Sequence, residues 1–409
     1  MKLATPAQLD ELLSPLACTK YEDLEVLLAH ATLSQLCEPS DASAGELAQA
    51  LGAVNLVTSI IRTDSPRSVR ERLTPDQLEN IEQAFNQSFE QLWADGLERW
   101  RPRAIQSEVF HKLRIFGDLN GKLVAPSSSI YPRALDDLGG SRPHVLWLRG
   151  NTSFLSEPLK VGLVGSRNAT AYGKRVAIDL AATAVANKII TVSGGAYGID
   201  ALVHQATLAD GGETIAVMAG GLDSLYPSGN QQLFLGILNA GLLVSEVPPG
   251  VTPTKWRFLQ RNRLIAALSK ATVVIEAGHH SGALNTAKHA ISLDRPVGVI
   301  PGPITSATSY GCNELARLMG ANVLVMSSTQ DMPYLCTSRV RPSEKTQDSP
   351  GSLETRAFDA IGGKSLGIAT IQKSAGLSSA EARIAIDSLL KSRRIVELGG
   401  RYKRTQTTL

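Results

Sequence analysis

The stretch GLVGSRNATAYGKR, residues 162–175, decides the fold because it joins an apolar strand to a helical segment through a tight turn. The apolar run 161–164 stops at Gly165-Ser166, and Arg167 follows. The spacing is not the G-x-G-x-x-G of dinucleotide-binding folds, and the chain has no P-loop Gly-Lys-Ser/Thr. A helix N-terminus beside an arginine fork attracts an anion. A structural salt bridge on an ordinary strand-to-helix turn fits this stretch equally well.

The same pattern recurs through the middle of the chain, where apolar strands end in glycine or polar residues and are followed by helical segments. Strands are predicted at 161–165, 189–195, 214–221, 242–246, 272–278 and 296–302. Apolar strands that alternate with helices indicate a parallel sheet covered on both faces. Ligands of such sheets bind outside the carboxyl ends of the strands, so we expect these ends to converge on one crevice.

The fold class is α/β, with an extended Rossmann-like parallel sheet domain between two smaller domains. With 409 residues, one compact core is unexpected. We predict four parts: a helical, all-α N-terminal domain (1–110), the extended Rossmann-like domain (111–336), a polar linker (337–352) and a winged helix-turn-helix domain (353–409). The last assignment rests on three short helical patterns followed by two strands around Gly399-Gly400.

Charge is distributed unevenly along a chain whose net charge is only +3. Residues 1–100 hold 7 Lys/Arg and 16 Asp/Glu, whereas residues 351–409 hold 10 and 5. The basic middle and tail suggest an anionic partner, although a solvated surface explains the charge as well. The N-terminus lacks the apolar core of a signal peptide and no long apolar run is present, so we expect a cytoplasmic protein with no membrane span. The four scattered cysteines are expected to be reduced and mostly packed thiols.

A second stretch, KWRFLQRNR at 255–263, alternates cations with the aromatic residues Trp256 and Phe258. No acidic residue occurs between Glu246 and Glu276. Cations interleaved with aromatics suit a single nucleic acid strand, whose phosphates need charge and whose bases need a stacking surface. A basic solvated helix with its aromatics in the core is the alternative, which we favour less because this segment follows a strand end.

Candidates for catalysis and metal binding are poor. Asp200 and His204 share a helix face and are expected to order local structure, while Glu276 is a lone carboxylate at a strand end. His279 and His280 are adjacent and lack the neighbours of a metal set. We therefore predict no catalytic residues, no metal and no cofactor.

The motifs of residues 125–325, taken together and in order, resemble the DNA-processing protein A family (DprA, also called Smf). The matching blocks are VGSRNATAYG, SGGAYGIDALVH, GETIAVMAGGLDSLYP, LVSEVPPG, RNRLIAALS, VVIEAGHHSGALNTAKHA, RPVGVIPGP and GCNELARLMGA. The resemblance implies an extended Rossmann domain that binds single-stranded DNA, dimerises and hydrolyses nothing. It further implies protection of incoming DNA in natural transformation and help in loading the recombinase RecA.

The resemblance also implies which residues contact DNA. These are Ser166, Arg167, Ser193, Gly194, Lys255, Phe258, Arg261, Asn262 and Arg263. One departure is visible, because the family's F-P-x-R-N-R element has Leu259 in place of the proline. The turn at residue 165 then holds a DNA phosphate instead of a dinucleotide.

Two other functions remain open at this point. A nucleoside monophosphate phosphoribohydrolase has a similar sheet with a PGG-x-G-T turn and a following Glu, whereas this chain reads EAGHHSGALNTAKHA, with no such Glu. In the second alternative, the winged helix is the main DNA-binding element and the middle domain senses a ligand. The third helix of that domain has few cations, mostly near its C-terminal end, where base reading is not expected.

Overall fold

The computed structural model of the protein describes residues 4–19, 23–317, 322–337, 353–362 and 365–405. Helices make up its N-terminal part, and short polar residues cap several of them. Thr74, for example, accepts a hydrogen bond from the Gln77 backbone in a capping box, with Pro75 at the first helical position. In chain order the helices are α1 (Pro6–Leu13), α2 (Leu24–Leu36), α3 (Ala42–Leu51), α4 (Ala53–Arg62), α5 (Pro66–Arg70), α6 (Pro75–Phe85), α7 (Phe89–Trp100) and α8 (Gln106–Asp118).

The middle of the chain alternates strands and helices. In chain order its elements are β1 (Lys122–Val124), β2 (Leu146–Gly150), β3 (Lys160–Gly165), α9 (Ala171–Ala186), β4 (Ile190–Ser193), α10 (Ile199–Ala209), β5 (Thr214–Val217), α11 (Gln231–Ala240), β6 (Leu242–Ser245), α12 (Lys255–Leu268), β7 (Ala271–Glu276), α13 (Gly282–Ser292), β8 (Val297–Val299), α14 (Tyr310–Arg317), β9 (Val323–Val325) and α15 (Asp331–Thr337). Short 3-10 segments occur at Arg101–Arg103, Arg133–Ser141, Thr152–Leu155 and Ser228–Asn230.

These strands form one nine-stranded sheet in the order β1-β2-β6-β5-β4-β3-β7-β8-β9. The seven strands from β6 to β9 in this order are parallel, which confirms the predicted Rossmann-like α/β sheet. Each of the six predicted strands is present. Three further strands, β1, β2 and β9, were not predicted from the sequence, and β2 runs antiparallel to both β1 and β6.

The N-terminal helices share an apolar core with one face of the sheet. The buried Phe116 of α8 lies edge-on to Trp147 of β2, with ring centroids 4.9 Å apart. The predicted boundary after residue 110 falls inside α8, and the domain limits stay predictions. Among the described residues no single helix is long and apolar enough to cross a membrane, and only α3 and α4 together, bent by 113°, have the necessary length and composition.

The C-terminal unit, residues 353–405, contains three helices and a small antiparallel sheet. Its elements are α16 (Leu353–Ile361), β10 (Leu366–Gly367), α17 (Ile368–Ala375), α18 (Ser379–Lys391), β11 (Ile395–Leu398) and β12 (Arg401–Arg404). Ser378 caps α18 in a capping box with Glu381, as its sequence suggests. The sheet order is β10-β12-β11, so β10 adds a strand to the predicted two-stranded ribbon. The predicted linker, 337–352, lies outside the described residues apart from Thr337.

Candidate nucleic-acid interface

A crevice of about 1280 Å³ opens at the carboxyl ends of β3 and β7. The chain leaves β3 toward β4 on one side and leaves β7 toward β8 on the other, so this is the point where the strand order reverses. Such switch points are where open parallel sheets bind ligands. The crevice is lined by the turn after β3, by one side of α12 and of α13, and by part of the C-terminal unit.

The turn after β3 presents Arg167 to solvent on the crevice wall. Ser166 holds the turn closed, because its Oγ accepts a hydrogen bond from the Asn168 backbone at 3.1 Å. The Ile199 N–H also donates to the Ser166 carbonyl oxygen at 3.0 Å, which ties the start of α10 to the turn. Gly198, at φ +82°, allows this approach, since a Cβ there would lie 2.2 Å from the Ser166 carbonyl oxygen. The backbone therefore fixes Arg167 at the crevice.

The N-terminus of α9 already has an anion of its own. The Thr170 N–H donates to Glu276 Oε2 at 3.0 Å, and Thr308 Oγ1 donates to Glu276 Oε1 at 2.7 Å. Glu276 is 2% exposed and sits where the helix dipole favours negative charge. The carboxylate therefore takes the position that the sequence analysis gave to a DNA phosphate, and the anion-binding capacity of this turn rests on Arg167.

Two guanidinium groups lie close to the Phe258 ring. Arg167 Cζ is 5.1 Å from the centroid of its ring and Arg261 Cζ is 5.7 Å from it, both within cation–π range. The ring of Tyr226, which is half exposed, lies 6.0 Å from Phe258. Positive charge and aromatic surface thus meet at one place on the wall.

Arg261 is buried beneath this cluster. Its Nη1 donates to the Gly194 carbonyl oxygen at 2.7 Å and also to the Val217 carbonyl oxygen. Burial lowers the pKa of Arg261 to about 10 against the opposing effect of Asp200, so the guanidinium stays charged at neutral pH. Arg261 therefore joins the ends of two strands and supplies a fixed positive charge to the crevice.

Asp200 and His204 bond to different partners. Asp200 Oδ2 accepts a hydrogen bond from the Gly194 N–H at 3.2 Å, while His204 Nδ1 lies 2.7 Å from Thr214 Oγ1. Burial, followed by the nearby charge of Arg261, lowers the pKa of His204 to about 3. The imidazole is neutral near pH 7, and both side chains order the strand ends, as the sequence analysis expected.

The start of α12 places two more expected residues in the crevice. Thr254 caps the helix by accepting a hydrogen bond from the Arg257 N–H, which leaves Lys255 exposed at the first position. Asn262 Nδ2 donates to the Gly282 carbonyl oxygen and to Asn285 Oδ1, at 3.2 and 3.1 Å, and so joins α12 to α13. Leu259 lies inside the helix, where a proline would remove a backbone donor.

Three of the expected residues do not line the crevice. Ser193 is fully buried and its Oγ donates to the Leu163 carbonyl oxygen at 2.6 Å. Gly194 is covered by the guanidinium of Arg261, which would lie 2.4 Å from a Cβ at that position. Arg263 is fully buried on the opposite side of α12, where it pairs with Glu246 and donates to Ser40 Oγ.

Two neighbours in the KWRFLQRNR stretch also face away from the crevice. Trp256 is 5% exposed and packs in the apolar core of the C-terminal unit. Arg257 pairs with Glu38 of the N-terminal part at 2.9 Å. Of the cations and aromatics in this stretch, only Lys255, Phe258 and Arg261 reach the crevice. The stretch therefore contributes some side chains to the crevice and others to contacts between parts of the chain.

Sequence reasoning missed several crevice residues. Tyr226, whose half-exposed ring lies beside Phe258, was not among the expected DNA contacts. The other missed residues share a dependence on tertiary packing; they are Asn285, Lys288, Phe358, Asp359, Arg394 and Arg404. For those in the C-terminal unit the sequence gives no signal, because only docking of that unit brings them to the crevice.

The described residues contain no group of three or more His, Cys, Asp or Glu that could hold a metal ion. His279 and His280 lie at the mouth of the crevice with ring centroids 4.3 Å apart, and His279 also approaches Tyr310 at 5.0 Å. Cys37, Cys312 and Cys336 are buried, as expected of packed thiols.

Comparison with known proteins identifies relatives across this sheet. The family model described as "DNA recombination-mediator protein A" matches residues 122–334. A relative from Mycobacterium tuberculosis is 41% identical over 270 residues, which are 62% of this chain and 68% of the relative. The DNA processing protein DprA of Streptococcus pneumoniae is 40% identical over 196 residues, or 47% of this chain and 68% of that protein.

A solved structure agrees with these sequence matches. The X-ray structure of DNA processing protein A (DprA) from Streptococcus pneumoniae aligns with this chain at a TM-score of 0.53 and 30% sequence identity. The alignment covers 69% of this chain and 94% of the chain in that structure. The family-model match, by contrast with the structural one, is a match of sequence; it spans more than half of the chain and includes the Arg167 turn and the start of α12. The chain therefore belongs to the DNA recombination-mediator protein A family, the DprA/Smf proteins.

Proposed function

We propose that the crevice binds single-stranded DNA. The observation that carries this proposal is the stack of Arg167, Phe258 and Arg261 at the strand ends, with Lys255 exposed beside it. Guanidinium groups bind phosphates through paired donors, and aromatic surfaces receive unstacked bases. A duplex hides its bases, so this combination suits a single strand.

Fewer residues are proposed to contact DNA directly than the sequence led us to expect. Arg167 and Lys255 bind phosphates, Phe258 and Tyr226 face bases, and Ser166 and Asn262 offer polar groups at the crevice surface. The remaining expected residues act from beneath. Arg261 supports the Phe258 ring from below. The three expected residues that do not line the crevice shape the strand ends and α12: Ser193, Gly194 and Arg263.

The family resemblance extends the proposal to the whole protein. It acts in the cytoplasm as a homodimer, protects incoming DNA in natural transformation and recombination, and helps to load RecA. The helices of residues 1–110 form a helical domain that packs against the sheet, and residues 353–409 form a winged-helix domain after the linker 337–352. The three helices and three-stranded sheet of residues 353–405 support the last assignment.

We also propose that the protein is not an enzyme. Glu276, the strand-end carboxylate that the sequence offers as a candidate base, accepts hydrogen bonds from Thr170 and Thr308 and is almost inaccessible. Incubation with nucleoside monophosphates is expected to release no base. Released base would instead support the phosphoribohydrolase alternative.

The experiment that tests DNA binding is fluorescence anisotropy of a labelled oligo-dT across a salt series. The test variant is Arg167→Glu with Lys255→Glu. Because each charge-assisted contact is worth about 1.5–3 kcal/mol, we expect each reversal to weaken binding by about tenfold or more. The logarithm of the binding constant falls with log salt by about 0.7 per phosphate neutralised, so the variant's slope should be shallower.

The control for each single reversal, Arg167→Glu or Lys255→Glu, is Lys270→Glu, which reverses one charge at the amino end of β7, the edge of the sheet opposite the crevice. This control should bind like the wild type. Equal binding by the test variant and the wild type would remove the crevice from DNA recognition. Loss of binding by the control to the same extent would show that overall charge, and not the crevice, governs affinity.

A further inference from the structure

The C-terminal unit has a fixed place beside the crevice. Trp256 of α12 is buried in its apolar core. Asn285 of α13 donates to Asp359 Oδ2 at 3.2 Å, and Arg99 of α7 pairs with Glu381 of α18 at 2.6 Å, with both side chains nearly buried. Apolar packing and buried polar contacts thus hold the unit against two other parts of the chain.

The face of this unit that borders the crevice resembles the opposite wall. Phe358 is partly exposed there, with Arg404 Cζ 3.8 Å and Arg394 Cζ 4.4 Å from its ring centroid. On the other wall, Arg167 and Arg261 flank Phe258 in the same way. Each wall of the crevice therefore presents an aromatic ring with two guanidinium groups within cation–π range of it.

The described residues that line this second wall include two arginines and one carboxylate, Asp359. Arg404 Nη2 lies 3.2 Å from Asp359 Oδ1, and its guanidinium donates to the Phe358 carbonyl oxygen. Arg394 is partly exposed and adds a second cation against Phe358. Lys288 of α13 lies between the two walls. A phosphate in the crevice would thus meet positive charge from both sides.

We propose that the C-terminal unit supplies the second wall of the single-strand site, with Arg394 binding a backbone phosphate of the strand whose neighbouring nucleotides contact Arg167 and Phe258. Phe358 and Arg404 position the Arg394 guanidinium by stacking and by neutralising Asp359. This inference rests on the proposed function of the crevice. It gives the C-terminal unit a part in single-strand binding that does not require it to read duplex DNA.

The test uses the full chain and an oligo-dT of about six nucleotides, a length near the lower end of the usual site sizes of single-strand-binding folds. An oligonucleotide this short cannot occupy a separate, distant site as well as the crevice. The variants are Arg394→Glu, Arg394→Lys and, as a matched control, Arg383→Glu. Arg383 is an exposed cation of α18 that does not line the crevice.

We expect Arg394→Glu to weaken binding by about tenfold and to lower the salt slope by about 0.7, the value for one phosphate contact on a single strand. Arg394→Lys keeps the charge but loses the planar fork, and should fall between wild type and Arg394→Glu. Arg383→Glu should stay within about twofold of wild type, because Arg383 does not line the crevice and salt screens interactions between exposed charges. An unchanged tryptophan fluorescence spectrum, to which Trp256 contributes together with the three other tryptophans, checks that the unit remains docked, and Arg394→Gln replaces any variant that undocks.

Two outcomes would overturn the inference alone: Arg394→Glu binding like wild type, or binding more tightly, which would mean that the unit covers the crevice against DNA. In both cases Arg167→Glu, measured in the same series, still weakens binding. If Arg167→Glu also binds like wild type, the proposed function fails and this inference fails with it.

Discussion

The two faces of α12 each carry a buried arginine, but the two arginines have different roles. Arg261 lies beneath the crevice, where its guanidinium bonds to strand-end carbonyls and stacks near Phe258. Arg263, two residues later, points into the junction with the N-terminal helices and pairs with Glu246. Sequence proximity and charge are the same for both, so the partner that each side chain meets decides its role. A basic motif can therefore serve binding with one residue and assembly with the next.

The largest expected effect on stability comes from removing the ion pair on the buried face of α12. Arg263→Ala leaves Glu246 buried without its counterion, and removal of one partner of a buried ion pair costs about 3–5 kcal/mol. Urea unfolding at neutral pH should show this loss. Arg257→Ala, which removes a less buried partner from Glu38 while Arg103 remains, should cost about 1 kcal/mol or less.

The pH dependence of Arg263→Ala sharpens this prediction. Burial already raises the pKa of Glu246 above its usual 4.5, and removal of Arg263 takes away the main opposing effect. An acid whose folded pKa is raised favours the folded state below its unfolded pKa and loses that contribution as pH rises. The loss of unfolding free energy in the variant, relative to the wild type, should therefore grow above about pH 4.5. A deficit that does not depend on pH would contradict a buried, unpaired Glu246.

A second ion cluster joins three parts of the chain and is expected to show the opposite pH dependence. Asp41 accepts hydrogen bonds from Trp100 Nε1 and Arg99, and Arg99 also pairs with Glu381. Burial favours a raised pKa, but Arg99 and Arg356 outweigh it and hold the pKa of Asp41 well below 3.8.

Asp41→Asn should therefore destabilise the protein by about 2 kcal/mol at neutral pH, the value of a charge-assisted hydrogen bond. Because the folded pKa is lowered, this stabilisation is present above pH 3.8 and is lost as pH falls below it. Unfolding midpoints of wild type and variant should converge in acid. A constant difference down to about pH 3 would contradict a charged Asp41.

The smallest expected effect lies on the crevice face. Phe258→Ala removes one stacking surface and should weaken oligo-dT binding by about 1–2 kcal/mol, near the lower end of the range for one base. Its salt slope should match that of the wild type, since no phosphate contact is lost. Phe258→Tyr keeps the ring and should bind normally. A changed slope in Phe258→Ala would show that the ring acts by holding Arg167 in place.

Much of the parallel sheet was predictable because its strands are continuous apolar runs that end in small or polar residues. The same logic located Arg167 and Lys255, since residues after parallel strands gather at one edge. β2 was not predictable from this pattern, because its antiparallel pairing with β6 depends on the lead-in folding back across the sheet.

The burial of Arg263 and the contribution of Arg394 were beyond sequence reasoning for a different reason. Both depend on which other part of the chain docks against α12, and docking reflects surfaces that form only after folding. Trp256 illustrates this, because its place among cations suggested a stacking surface, whereas it is part of the C-terminal core.

The most direct test of the account is to map where a single strand lies. An oligonucleotide that carries 5-iododeoxyuridine, irradiated in complex with the full protein, forms adducts with nearby aromatic side chains that mass spectrometry can assign. We predict adducts at Tyr226 and Phe258, the aromatic residues beside Arg167. Adducts confined to the N-terminal helices, or to surfaces of the C-terminal unit outside the crevice, would contradict the crevice as the binding site.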